Sequence, residues 1–168
     1  MTDDREEQLM SWVTREQTIA SRRGTPWYQL DTLARSRDVK TRLRVAKNPS
    51  AEDAALWVLA RDADLDVREQ VARRDDVPVR VLALLSSDVS ARVRSAVARN
   101  PGTSATTLRG MSEDPHHGVR FAVQAAQRLR ERSAAEVEAA VEEAREAGQE
   151  PDEQRTPAAG AARVPSVA

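Results

Sequence analysis

The chain has 168 residues, a net charge of −1, no cysteine and only 3% aromatic residues. The lack of cysteine excludes disulfides, thiolate metal sites and cysteine nucleophiles together, and the few aromatics argue against a compact globule filled by large rings. The start, MTDDREEQLM, has no signal-peptide core, and no apolar run approaches the roughly 20 residues a membrane span needs, so a cytoplasmic protein is expected with no membrane contact.

Charge is unevenly placed. Residues 1–21 carry a net −3, residues 22–132 a net +7 and residues 133–168 a net −5. A basic middle between acidic ends favours an acidic partner, or lets the ends fold back on the middle. Residues 4–20 read as an amphipathic helix, with Leu9, Trp12, Val13 and Ile19 at helical spacing and a charged opposite face. Segment 1–22 is therefore expected to be an N-terminal capping helix, with Trp12 near Trp27 or Tyr28.

The next 104 residues repeat with a period of 26, giving units 23–48, 49–74, 75–100 and 101–126. Arg42, Arg68, Arg94 and Arg120 mark the register. Val45, Val71, Val97 and Val123 follow each arginine by three residues; Thr41, Val67, Val93 and Val119 precede it by one. Leu30, Leu56, Leu82 and Leu108 form a further column, as do Leu33, Leu59, Leu85 and Met111. Leucines three apart share one helical face, so each unit is expected to open with a short helix. A second helix begins near Val39, Leu65, Ala91 and His117, with Ala46, Ala72 and Ala98 on its inward side. Ser50 and Thr103 are candidate N-caps, and Asn48-Pro49 and Asn100-Pro101 are stops, because a residue before proline is driven out of the helical region. One unit cannot fold alone. Its roughly six inward apolar side chains contribute about 1.5–3 kcal/mol each, less than the cost of ordering 26 residues at about 1–2 kcal/mol each. Stacked units shield one another's apolar faces.

After Val119 no turn signal appears before Arg132, and Ser133-Ala134-Ala135-Glu136 resembles a fresh helix start before Val137–Ala147. Residues 127–147 are expected to be a C-terminal helical extension that caps the array. Residues 148–168, rich in Pro, Ala and Gly, are expected to be a disordered tail.

The unit Val-Arg-x-x-Val-Ala-x-Asn-Pro, seen best at Val93–Pro101 and nearly as well at Thr41–Pro49, resembles the leucine-rich repeat variant family. The resemblance covers residues 23–126 and implies an all-α, right-handed superhelix of alternating α- and 3₁₀-helices. A more distant kinship is with HEAT-like repeats, whose period is roughly 40–47. The family's founding type holds an iron–sulfur module with cysteines. With none in this chain that cofactor is not carried over, and no other cofactor or metal is expected. The period of 26 is about two residues longer than the family's, and the fourth unit has Ala126-Gln127 in place of Asn-Pro.

Four regularly spaced guanidiniums offer either a phosphate-holding groove or a structural ladder. Asp62, Asp88 and Asp114 recur at the same period, with Ser36 in the first unit, which favours a ladder of Arg42, Arg68, Arg94 and Arg120 with these aspartates, capping helix starts and tying units together. Unit 23–48 carries a net +5. Its Arg35, Arg37, Lys40, Arg44 and Lys47, continued by Arg73 and Arg99 in the Lys47 column, form a candidate basic surface, or a solvated helix face. Trp57 stands in a column with Asp31, Ala83 and Arg109, which marks it as an outward interface anchor or as cover for a gap between units. His116 and His117 are adjacent and lack further ligands of the usual spacing, which makes a poor zinc site. With no phosphate loop, nucleophile elbow or HExxH, the expectation is a non-catalytic scaffold for a protein or peptide partner. The alternative is a nucleic-acid module using the basic flank of the first unit, and an enzyme accessory is the third class. The acidic ends favour a monomer.

Overall fold

A computed structural model of the chain describes residues 3–146, with side chains for residues 10–145. The tail 148–168 and the Leu9 side chain lie outside the described residues. Among the described residues the chain is all-helical: α1 (Asp3–Ser21), α2 (Trp27–Leu33), α3 (Val39–Lys47), α4 (Asp53–Leu59), α5 (Leu65–Ala72), α6 (Val79–Leu85), α7 (Ala91–Arg99), α8 (Ala105–Gly110) and α9 (His117–Glu146). No helix among these residues is long and apolar enough to cross a membrane.

Helices α2 to α8 have 6–9 residues. Isolated helices shorter than about 12–15 residues are marginal in water, so these persist through packing and capping. Asp38, Asp64 and Ser90 cap α3, α5 and α7 by accepting backbone N–H bonds. Pro26 and Pro78 precede α2 and α6, where a missing N–H costs nothing. Ser104, and not Thr103, caps α8, accepting from Thr107 N. Thr103 instead turns inward and donates to the Val97 carbonyl at 2.6 Å. Ser50 is not a cap either; it donates to the Arg23 carbonyl, and Glu52 takes the N-cap position of α4.

The chain divides into two compact units, Met1–Leu129 and Arg130–Ala168. In the first, α1 packs on α3, α3 on α5 and α5 on α7, while α2 packs on α4. The core is aliphatic throughout. Leu30, Leu56, Leu82 and Leu108 are at most 1% exposed, and Val45, Val71, Val97 and Val123 are fully buried. Ala46, Ala72 and Ala98 are also fully buried, and side chains this small let the helices approach closely. At the start of α9, Val119, Ala122 and Val123 complete the core.

Helix α1 joins this core through Ala20, which is fully buried. Trp12 stays outside. Expected beside Trp27 or Tyr28, it makes no ring contact with either; those two pair edge-on at 6.0 Å. In the second unit α9 continues without a break to Glu146, so Ser133 lies inside a helix and starts none. The stretch from Arg128 to Arg145 is mostly Ala, Glu, Arg and Leu, strong helix formers, interrupted only by Ser133, Val137 and Val141, and nothing in it forces a turn. Val137 and Val141, one helical turn apart, are exposed.

Candidate interaction surfaces

Two hydrogen-bond series recur at the 26-residue spacing and hold the helix pairs in register. In the first, Arg42, Arg68 and Arg94 each grip the aspartate 20 residues later with a two-pronged fork. The Nε–Oδ2 distances are 2.6, 2.7 and 2.6 Å to Asp62, Asp88 and Asp114, and the Nη2–Oδ1 distances are 2.9, 3.1 and 2.9 Å. The Nη1 of each arginine donates to two carbonyls of the turn before its own helix, those of Ser36 and Arg37, Asp62 and Ala63, or Asp88 and Val89. All six side chains are at most 17% exposed. Each aspartate also accepts the N–H two residues on, of Asp64, Ser90 or His116, which tightens the turn ahead of the next helix. The fork of Arg94 holds the Asp114 carboxyl below the usual carboxylate range against the opposing effect of burial. At Asp88 burial pushes upward most strongly, but the Arg68 fork and the Ser90 N–H together bring the carboxyl below its ordinary value.

The second series was missed in the sequence, where Asn48 and Asn100 were read only as stops. Asn48 Nδ2 donates to the Ala20 and Arg22 carbonyls at 2.8 and 2.8 Å, and Asn100 Nδ2 to those of Ala72 and Arg74 at 2.7 and 2.6 Å. Between them in register, Arg74 Nη1 donates to the Ala46 and Asn48 carbonyls at 2.9 and 2.6 Å. All three side chains are buried. The signal was present as three long-armed amide or guanidinium donors at positions 48, 74 and 100.

The first series changes chemistry at its ends. Glu16 lies 26 residues before Arg42, and Ser36 lies 26 before Asp62. Here the polarity is reversed: Ser36 Oγ donates to Glu16 Oε2 at 2.5 Å. Counting the register backward would have found this pair and would have set Ala20 in the Ala46 column. At the other end, Arg120 Nη1 holds the Asp114 and Pro115 carbonyls at 2.7 and 3.1 Å, but its Nε and Nη2 meet no carboxylate among the described residues. The residue 20 positions on is Ala140.

The expected surface residues fall in separate places. Trp57 on α4 is 39% exposed, with the Arg61 guanidinium 3.8 Å above its ring centroid, a cation–π stack. Arg35 and Arg37 are exposed beside a groove of about 550 Å³ that Trp12, Val13, Glu16 and Thr32 also line. Lys40, Arg44 and Lys47 are exposed along one face of α3. Arg44 donates to Ser21 Oγ and Gln17 Oε1 of α1. Arg73, expected to extend this strip, is paired with Glu69 at 2.6 Å. Glu69 and Asp66 in turn bind Arg92, so the strip is interrupted by a neutralised cluster before exposed Arg99. His116 stands in the capping column of Asp38, Asp64 and Ser90, and its Nδ1 accepts the Gly118 N–H at 3.1 Å. No cluster of three or more potential metal ligands exists among the described residues. Comparisons with protein families, with curated proteins and with solved structures found no match to this chain.

Proposed function

We propose that residues 23–126 form a helical solenoid of four 26-residue repeats, akin to the leucine-rich repeat variant family, and that it serves as a non-catalytic scaffold holding a protein or peptide partner. One observation carries the reading. The chain has five aromatic side chains, and all of them, Trp12, Trp27, Tyr28, Trp57 and Phe121, are between 39% and 67% exposed over a core of Leu, Val and Ala. Large rings are worth most when desolvated, and Trp, Tyr and Arg dominate the energetic centres of protein interfaces. Trp57 with Arg61 stacked on it is the strongest such anchor. The test is affinity capture from cytosol with the intact chain and with Trp57→Ala, each with and without nuclease. The expected result is a protein lost with Trp57→Ala and retained after nuclease, at unchanged melting temperature. A large drop in melting temperature for Trp57→Ala would refute its assignment to the surface.

A second reading rests on α3. Lys40, Arg44 and Lys47, at i, i+4 and i+7, are exposed and have no carboxylate partner among the described residues. They offer three cations to a nucleic-acid backbone. Binding would then weaken with salt at a log–log slope of roughly −3, and absence of any mobility shift at low salt removes the reading.

A further inference from the structure

Arg120 has the same support as the arginines before it. Its Nη1 is fixed by two turn carbonyls at 2.7 and 3.1 Å, against 2.7–2.8 and 3.1–3.2 Å for Arg42, Arg68 and Arg94. The fork edge that each of the other three turns to an aspartate is therefore already oriented, and binding there requires little new ordering. Arg120 is half-buried and has no carboxylate among the described residues.

The neighbouring residue gives the second half of the site. Phe121 occupies the column of Leu43, Glu69 and Ser95. Leu43 is partly buried against the core, and Glu69 and Ser95 are 4% and 9% exposed, whereas Phe121 is 62% exposed. A half-buried fork and an uncovered ring on consecutive residues of α9 offer separate contacts to an acidic side chain and to an apolar one on the same partner segment.

We propose that Arg120 and Phe121 form a docking edge for a helical segment of another protein. That segment presents an aspartate in its helix-entry turn, as Asp62, Asp88 and Asp114 are presented to the earlier arginines, and lays an apolar residue on Phe121. The chain itself does not supply this carboxylate in register, because the position is Ala140, inside the unbroken α9. A second copy stacked end to end does not supply it either, because the position 26 residues before Ser36 is Met10 of α1. The inference rests on the scaffold reading but places the partner on a different edge from Trp57, so the two fail separately.

The probe is a fluorescein-labelled peptide of residues 59–74 whose helix is held by a side-chain lactam between Asp66 and a Gln70→Lys residue, so that it does not depend on neighbouring units to fold; in the protein this stretch seats Asp62 on Arg42 next to Leu43, the nearest match to Arg120 next to Phe121. It is titrated into the full-length protein, and the arginine Nε–H signals are followed by NMR with ¹⁵N labelling. The expected result is saturable binding below about 1 mM, with slowed exchange of the Arg120 Nε–H. The Asp62→Asn peptide should bind about tenfold more weakly, a loss that needs no change in the protein. The Arg120→Lys protein, which keeps the charge and loses the fork, should lose a similar factor, and Phe121→Ala should also weaken binding with an unchanged circular dichroism spectrum. Trp57→Ala should bind the peptide normally. No saturable binding, equal binding of the Asp62→Asn peptide, or equal binding to Arg120→Lys overturns the proposal. So does an Arg120 Nε–H already as protected as that of Arg68 in the free protein, or self-association of the protein that Arg120→Lys abolishes.

Discussion

Arg94 and Arg120 make the same pair of bonds to the turn ahead of their own helices, yet among the described residues only Arg94 reaches a carboxylate. Between helix pairs the fork is cement: both partners are mostly out of water, and each aspartate also sets the turn that follows. At Arg120 the bonds seen among the described residues are the two local ones, to the Asp114 and Pro115 carbonyls. One residue type in one register thus ties neighbouring helix pairs together where an aspartate follows 20 residues on, and makes only its turn bonds, among the described residues, where none does. The opposite edge differs again, because there Ser36 and Glu16 close the series with donor and acceptor exchanged.

This contrast is breakable by substitution. Arg68→Ala should have the largest effect. It strands Asp88, whose side chain is 7% exposed, and frees two turn carbonyls, for a loss of about 3 kcal/mol in urea unfolding. If Arg68→Ala proves no worse than Arg120→Ala, the distinction between middle and edge is wrong. Arg74→Ala should cost about 2 kcal/mol, because it removes a buried donor from two carbonyls. Arg74→Asn should recover about half of that, since asparagine makes the equivalent bonds at 48 and 100; no recovery would mean that the guanidinium acts mainly through Asp76, to which its Nε and Nη2 also donate at 2.8 and 2.6 Å. Arg120→Ala should cost only about 1 kcal/mol, from its two local bonds.

The smallest effect concerns pH. Asp88 and Asp114 have carboxyls held below their ordinary value, so their contribution is complete above the unfolded value near 3.8 and is lost as pH falls below it. Denaturant melts should show no loss attributable to them between about pH 8 and 5, with the decline starting below about pH 4. A decline beginning near pH 6 would place the titrating groups elsewhere.

The sequence carried the helix pairs well, because inward positions repeat as residue types. Leucine columns, valine columns and the starts at Val39, Leu65, Ala91 and His117 coincide with buried positions and helix starts in the structure. The arginine and aspartate columns were visible for the same reason, both members being invariant in type wherever the fork forms. What was illegible was bonding to backbone. A carbonyl has no letter, so the role of Asn48, Arg74 and Asn100 was hidden behind the helix-stopping role of asparagine. Substitution of type hid the rest. Glu16 and Ser36 do the work of an arginine and an aspartate with reversed polarity, and His116 caps a helix where Asp or Ser does so elsewhere. Ser133 misled because a good N-cap residue in a run of strong helix formers is simply overrun.

The separation of 20 residues between each arginine and its aspartate also bears on synthesis. At about 5–20 residues per second, a newly made Arg42, Arg68 or Arg94 waits about 1–4 s for its counter-ion to emerge from the ribosome. Growth of the chain is therefore a succession of momentarily unclaimed cations, each satisfied by the next stretch translated. For Arg120 the position in register is Ala140, and none of the 20 residues made after it is an aspartate, so the sequence that closes each earlier fork is not repeated for the last arginine of the series.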